Sequence, residues 1–180
     1  MKIAKLLTLA GMALALAPAA ALAQAAAPAK PDAYKAFLPD ASHIPFILPE
    51  NIPWQGTVGQ NQRYNILGNP SEPGPYIQLL KWYPGAYSKP HLHEKVRYIT
   101  VLSGTWWVSS SNHYDPTKTY PLPAGSIVRD EANTVHWDGA RDVPTVLMIS
   151  GDGPAPNIAV DEDGKRVPRP AAGAAPRQSP

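Results

Sequence analysis

GAYSKPHLHEKVRYITVLSG, residues 85–104, is the stretch that decides the fold we predict for this 180-residue chain. It places His91 and His93 two residues apart at the start of a strand-like run. On an extended chain, residues i and i+2 project from the same face, so both imidazoles can approach one ion. A third imidazole, His136, lies in a second strand-like run, TVHW. Two close ligands and one distant ligand are typical of a catalytic metal held inside a β-barrel.

The segments around this stretch also favour β-structure. Six runs are short, rich in β-branched and aromatic residues, and separated by Gly or Pro turns. They span residues 75–83, 97–103, 105–110, 126–130, 134–137 and 144–150. Several evenly spaced strands with turn signals predict a β-sandwich or a closed barrel.

The ends of the chain differ in composition from its middle. Residues 1–23 resemble a secretory signal, with two lysines, an apolar run too short to span a bilayer, and an A-x-A cleavage site. Residues 24–43 form an Ala/Pro-rich lead-in, and residues 153–180 are predicted to be a disordered tail. The barrel domain is therefore assigned to residues 44–152. We expect a periplasmic or secreted protein without membrane attachment after signal cleavage.

Charge and cysteine content exclude some functions. The chain has 16 basic and 14 acidic residues, and two of the basic ones lie in the signal. The mature protein is thus formally neutral, which argues against nucleic acid as a partner and leaves a small molecule. Because the chain has no cysteine, a bound ion must rest on nitrogen and oxygen.

Residues 85–104 resemble the first motif of the cupin superfamily. That motif runs glycine, five residues, H-x-H, three residues, glutamate, six residues, glycine. Gly85, His91, His93 and Gly104 fall in register, whereas Arg97 occupies the glutamate position.

The second cupin motif is similar to residues 125–136. Gly125 and His136 match it, while Glu131 and Asn133 replace the usual proline and glycine. More narrowly, the chain resembles a subgroup related to the cupin domain of ChrR-type anti-sigma factors. The resemblance implies an all-β fold, the cupin double-stranded β-helix or jelly-roll barrel.

The resemblance also implies a function. Cupins with three histidines and no glutamate include iron dioxygenases that cleave carbon–carbon bonds of diketones or hydroxyaryl ketones. We therefore predict an exported metal-dependent dioxygenase acting on a small enolisable carbonyl compound. The alternative is a non-catalytic small-molecule or metal-binding module. An exposed sheet edge is compatible with a homodimer.

Strand parity predicts which side chains share the site. If His91 and His93 face inward, Arg97 does so too, and Glu94 faces away. Three neutral imidazoles without a protein anion leave the ion doubly charged with open positions, as in catalytic sites. One divalent transition metal is expected: the resemblance places iron first, whereas acquisition outside the cytoplasm favours copper or zinc, with manganese and nickel also compatible.

Arg97 requires a counter-anion, and two interpretations remain open. As a catalytic residue it would bind a substrate carboxylate or enolate. As a structural residue it would pair with a protein carboxylate. The candidate carboxylates are Asp130, Glu131, Asp138 and Asp142. Asp138 shares the parity of His136 and is also predicted to accept a hydrogen bond from an imidazole N–H.

Overall fold

The structure is a computed structural model that describes residues 45–168. The predicted signal, at residues 1–23, and the predicted lead-in, at residues 24–43, lie outside these residues. Within the described part, no helix is long and apolar enough to cross a membrane.

Eleven strands and one short 3₁₀ helix, Pro49–Asn51, make up the regular structure of residues 45–168. In chain order the strands are β1 (Gln55–Thr57), β2 (Asn61–Leu67), β3 (Gly74–Trp82), β4 (His91–Leu92), β5 (Arg97–Ser103), β6 (Thr105–Ser109), β7 (Tyr120–Pro123), β8 (Ile127–Asp130), β9 (Trp137–Gly139), β10 (Thr145–Gly153) and β11 (Ile158–Ala159).

The strands form two antiparallel layers. One layer is a six-stranded sheet in the order β1-β2-β3-β10-β5-β8. The other contains the three strands β7-β6-β9 and the pair β11-β4, which an antiparallel bridge between His91 and His136 connects. The predicted all-β jelly-roll architecture is therefore confirmed.

The core lies between the two layers, and β5 shows how its sequence fills it. Ile99 and Val101 are buried, whereas Tyr98 before them and Leu102 after them are exposed. This period of two is what a strand with one face on the core requires. Burying a side chain of this size contributes about 1.5–3 kcal/mol, and Trp106 and Leu147 pack against the same cluster from neighbouring strands.

The turn from β5 into β6 depends on Gly104. Its φ of +75° is in the left-handed region, and a Cβ at this position would lie 2.3 Å from the carbonyl oxygen of Pro144. Only glycine fits both constraints. The second glycine of the first motif is therefore explained by local geometry.

Five of the six predicted strands occur within a few residues of the predicted bounds, and the fifth in chain order, at residues 134–137, is displaced. There the strand begins at Trp137, and His136 forms only an isolated bridge. The residues before it form a turn, because Asn133 has a φ of +60°. β1, β2, β7 and β11 were not predicted, and β4 lies at His91, where a strand-like run was expected to begin.

The predicted disordered tail, residues 153–180, is wrong for its first part. β11 pairs with β4 in the register Ile158↔Leu92 and Ala159↔His91, and Ala155 is buried in the core. Backbone hydrogen bonds to β4 and the burial of Ala155 offset the cost of ordering this segment, and composition alone does not reveal them. Residues 169–180 lie outside the described part of the chain.

Candidate metal centre

The backbone brings His91 and His136 directly opposite each other. The N–H of each residue donates to the carbonyl of the other, both at 2.9 Å. This two-bond pair holds their Cα atoms at a fixed separation across the antiparallel bridge. A histidine at the entry of β4 and one at the entry of β9 thus meet through backbone pairing before any metal is considered.

A turn at Asn133 places His136 opposite His91. The residue adopts a φ of +60°, and its N–H donates to the carbonyl of His93 at 2.6 Å. Asparagine is the residue after glycine that tolerates this left-handed conformation best. Asn133 therefore supplies the conformation that glycine supplies in the second cupin motif.

The three predicted imidazoles form one cluster. Their candidate ligand atoms all lie within 4.8 Å of one another. The ring centroids are separated by 4.4 Å for His91 and His136, 5.0 Å for His91 and His93, and 5.4 Å for His93 and His136. These three side chains, as predicted, converge on one point and can hold a metal ion.

Hydrogen bonds to carbonyl groups orient two of the three rings. Nδ1 of His91 lies 2.7 Å from the carbonyl oxygen of Lys89, and Nδ1 of His136 lies 3.2 Å from that of Thr134. A carbonyl can only accept, so each Nδ1 carries the proton and each Nε2 presents its lone pair; that of His136 also lies 3.4 Å from Nη2 of Arg97. Backbone acceptors of this kind commonly orient metal-binding histidines.

His93 is the most buried member of the cluster and lacks partners. Only 1% of it is exposed, and neither ring nitrogen has a hydrogen-bond partner. Leaving a buried polar group unsatisfied costs about 1–3 kcal/mol. A metal ion at the centre of the cluster would satisfy one of these nitrogens.

The environment keeps two of these imidazoles neutral. Burial lowers the pKa of His93 to about 2, and the positive charge of Arg97 and the two neighbouring imidazoles add to this effect, while the backbone of Ala155 opposes it. Burial also lowers the pKa of His91, with a further contribution from His136. Neutral imidazole is the form that binds metal.

Several solved structures resemble the chain at low sequence identity. The polyketide cyclase RemF from Streptomyces resistomycificus matches with a TM-score of 0.51 at 13% identity, over 68% of this chain and 90% of that chain. A cupin 2 domain-containing protein from Halorhodospira halophila matches with a TM-score of 0.49 at 18% identity, over 61% of this chain and 77% of that one. A cupin-like protein from Thermotoga maritima matches with a TM-score of 0.47 at 20% identity, over 57% and 78%.

Two antiparallel layers with three histidines between them, in the order of the two motifs, are now established. The chain shares this all-β fold with RemF, and its three histidines stand in the order of the two cupin motifs that the sequence resembles. No family model matches the chain, and no curated protein matches it. The narrower resemblance to the ChrR-type subgroup stays a prediction.

Arg97, which stands at the position of the glutamate in the first motif, forms a buried ion pair with Asp130. Its Nε and Nη2 donate to Oδ2 of Asp130 at 2.9 and 2.6 Å, and the exposed fractions of the two side chains are 11% and 9%. One of the four candidate carboxylates is thus its counter-anion. Glu94 is exposed and pairs with Arg166, as the predicted strand parity requires.

Arg97 also lies beside the histidine cluster. Its Nη2 is 3.4 Å from Nε2 of His136, and Oδ1 of Asp130 is 3.5 Å from Nδ1 of the same ring. The pair therefore brackets His136 from both sides. Arg97 is placed to contact an anion in an open position of the cluster, and its role in catalysis stays a prediction.

Asp138 does not bond to an imidazole, contrary to the prediction. Its Oδ2 accepts from the indole N–H groups of Trp82 and Trp106 at 2.9 and 2.8 Å, and its Oδ1 accepts from the Ser88 hydroxyl at 2.9 Å. The prediction that Asp138 faces the interior was correct. The partners come from strands far away in sequence, which parity cannot identify.

The barrel contains a cavity of about 290 Å³ next to the cluster. His91 and Asp138 lie in its wall, and Gln78 and Trp106 are among the other residues that line it. Arg63 and Asn61 of β2 also line it and were not predicted. The sequence NQRYNIL could have indicated a polar strand face in the cavity, because Asn61, Arg63 and Asn65 occupy alternate positions.

Proposed function

We propose that this chain is a metal-dependent dioxygenase acting on a small enolisable carbonyl compound. The observation that carries the proposal is the cluster of three histidines, with ligand atoms within 4.8 Å of one another beside an internal cavity. The resemblance to three-histidine cupins supplies the reaction class. The arrangement of the three histidines supports the metal site.

The donor set fits a divalent transition metal. Two of its nitrogens are directed by backbone carbonyls, and the third belongs to a ring without any other partner. Imidazole nitrogen suits iron, zinc and copper alike. We place iron first on the reaction class, with zinc and copper, then manganese and nickel, as the alternatives.

Bound there, a redox-active metal would act as a Lewis acid toward an enolate and provide a route for its electrons to dioxygen. The protein's own groups then have three tasks. The cluster leaves coordination positions open, because no carboxylate of the described residues joins the three histidines. Apolar walls such as Ile99 and Leu147 limit water in the cavity. Arg97 places donors next to His136, where the charge of an enolate oxygen would lie.

A non-catalytic binding module is the second candidate, and the ion pair of Arg97 favours it. Because Asp130 already takes two of the guanidinium's hydrogen bonds, Arg97 is less available to a substrate than an unpaired arginine. A metal-loaded chain that binds small carbonyl compounds without consuming oxygen would fit this role.

Metal analysis tests the site itself. We expect the purified protein to contain close to one transition-metal ion per chain and the His93→Ala variant to contain less than a tenth of that. The matched control is His113→Ala, because His113 is an exposed histidine outside the cluster. Equal metal content in all three proteins would contradict the proposed centre.

Oxygen consumption tests the reaction. The protein reconstituted separately with iron, copper, zinc, manganese and nickel would be assayed in an oxygen electrode with β-diketones and hydroxyaryl ketones. Uptake that depends on both metal and substrate, and that His93→Ala abolishes, supports the dioxygenase. Tight substrate binding without uptake in every metal form would favour the binding module.

We also propose that the chain is exported and works in the periplasm or outside the cell. The support is the signal-like composition of residues 1–23. N-terminal sequencing of protein recovered from the extracytoplasmic fraction tests this. A start just after Ala23 is expected, and an intact Met1 on cytoplasmic protein would contradict it.

A further inference from the structure

We infer that Arg63 binds the carboxylate of the substrate, so that the compound handled at this site is a small oxo acid and not a neutral ketone. The inference rests on the proposed function, because it assigns a substrate class to the same cavity. The supporting observations concern a second space that borders this cavity.

The cavity beside His91 borders a second space of about 580 Å³. Four residues line both spaces: Arg63, Gln78, Arg97 and Asn157. The second space is further bounded by Ser71 and by residues 154–156, next to the loop that follows β10. The four shared residues, which we name the polar collar, therefore surround the passage between the histidine cluster and the outer space.

Charge within the polar collar is not balanced. The positive charge of Arg97 is balanced by the negative charge of Asp130 in their ion pair. Arg63 has no carboxylate within ion-pair distance among the described residues, and its side-chain hydrogen bond is to the neutral amide oxygen of Asn61 at 3.1 Å. One guanidinium of the polar collar thus retains its full positive charge.

No carboxylate of the described residues belongs to the polar collar itself. Asp138 is the one carboxylate among the described residues that line either space. Its oxygens are already occupied by two indole N–H groups and a serine hydroxyl. Asp138 lines the inner space alone, and the polar collar, with Arg97 balanced by Asp130 and Arg63 paired only with a neutral amide, carries a net positive charge that favours an anion.

The surroundings indicate a carboxylate in particular. The guanidinium offers a planar pair of donors that match two carboxylate oxygens. Its neighbours in the polar collar, Gln78 and Asn157, are neutral amides, so the collar carries a single uncompensated charge suited to a monoanion. Arg63 itself is exposed at this passage, so an incoming ligand can reach it.

Binding of an acid and its neutral ester tests the inference. Calorimetric titration of the metal-loaded protein with acetoacetate and with methyl acetoacetate should show at least about tenfold tighter binding of the acid. Arg63→Gln should remove that preference by weakening the acid and leaving the ester unchanged. Arg129→Gln is the matched control, because Arg129 is exposed and does not line either space.

Several outcomes would overturn the inference. They are equal binding of acid and ester by the unaltered protein, no binding of the acid, an equal loss for both compounds in Arg63→Gln, or tighter binding of inorganic phosphate than of acetate. Oxygen uptake and metal content of the same samples report separately on the proposed function. Uptake with neutral diketones but no acid preference would refute the inference alone, whereas Arg63-dependent acid binding without uptake would refute the dioxygenase alone.

Discussion

At the scale of single residues, His93 combines nearly complete burial with two unpartnered nitrogens. A protonated imidazole in this position would carry an unsolvated charge next to Arg97, which explains the direction of its pKa shift. His93 is thus held neutral, with a nitrogen lone pair available to a metal ion. Its unsatisfied nitrogens destabilise the metal-free fold. Its contribution to stability consequently depends on pH.

We predict that the metal-free protein loses stability as the pH falls below about 6.5. The pKa of His93 is lowered to about 2 in the folded state, so between these values the unfolded chain binds a proton that the folded chain does not. Stability must then fall with pH, by up to about 1.4 kcal/mol per pH unit for each such histidine. Urea titrations at pH 7.5, 6.5 and 5.5 measure this slope.

The control for this experiment is again a histidine outside the cluster. His93→Gln should make the dependence on pH shallower, whereas His113→Gln should leave it unchanged. A slope that is identical in all three proteins would show that His93 does not resist protonation in the folded state.

At the scale of elements, the buried ion pair joins two strands at an edge of the six-stranded sheet. Arg97 of β5 and Asp130 of β8 are register partners, so their side chains leave directly opposed positions of the ladder. Cross-strand pairs of this kind stabilise a sheet. The pair both anchors β8 and fixes the charge around His136.

We predict that breaking this pair is more costly than removing it. Arg97→Met should destabilise the fold by about 3–5 kcal/mol, because it leaves Asp130 buried without a counter-charge. The double variant with Asp130→Leu should recover most of that loss. Urea unfolding measures both, and the exposed pair Arg129 and Glu131 is the control, with an expected effect below about 1 kcal/mol.

A different result would change the role of Arg97. If Arg97→Met is as stable as the unaltered protein but has a raised KM and normal metal content, the guanidinium serves the substrate and not the fold.

Composition alone does not predict β11. This strand pairs with β4 next to the metal centre. Ala159 is the register partner of His91, and the N–H of Val160 donates to the carbonyl of Pro90 at 3.2 Å. Without this strand, the segment carrying two of the three histidines would have a free edge.

We predict that a chain ending at Gly153 is less stable, by roughly 2–4 kcal/mol, and binds metal more weakly than one ending at Pro168. Each lost backbone hydrogen bond contributes about 0.5–1.5 kcal/mol, and the burial of Ala155 is lost as well. The chain ending at Pro168 retains every described contact of β11 and is the control. Equal melting temperatures and equal metal content would show that β11 is dispensable.

At the scale of the whole molecule, the centre of the barrel could be predicted from sequence and its periphery could not. β5 was predicted at its observed bounds because β-branched residues alternate there with exposed ones. His91 and His93 followed from their spacing. In contrast, β2 carries polar residues on its inner face, and β11 is held by pairing with β4 that no local pattern encodes.

The chemistry around the cluster was predictable only in part for the same reason. That Arg97 needs an anion follows from its charge, but Asp130 as the partner follows from the pairing of β5 with β8. The partners of Asp138 lie on β3 and β6 and in the loop before β4, so their convergence is a property of the closed barrel.

Closure of the barrel around the cluster also couples metal binding to global stability. The three ligands come from segments that only folding brings together, so an ion binds the folded state preferentially. At one hundred times its dissociation constant, the metal should add about 2.7 kcal/mol and raise Tm on the order of 10 °C. Scanning calorimetry before and after chelation measures this, and an equal shift in His93→Ala would contradict it.

The two indole groups fixed on Asp138 give the molecule a built-in optical probe. Trp82 and Trp106 are two of only five tryptophans, and both border the chamber where the ion and its ligand would lie. Their emission is therefore sensitive to a quenching ion such as copper or iron and to changes in local polarity. Occupancy of the interior can be followed by native fluorescence, without a dye or a coupled assay.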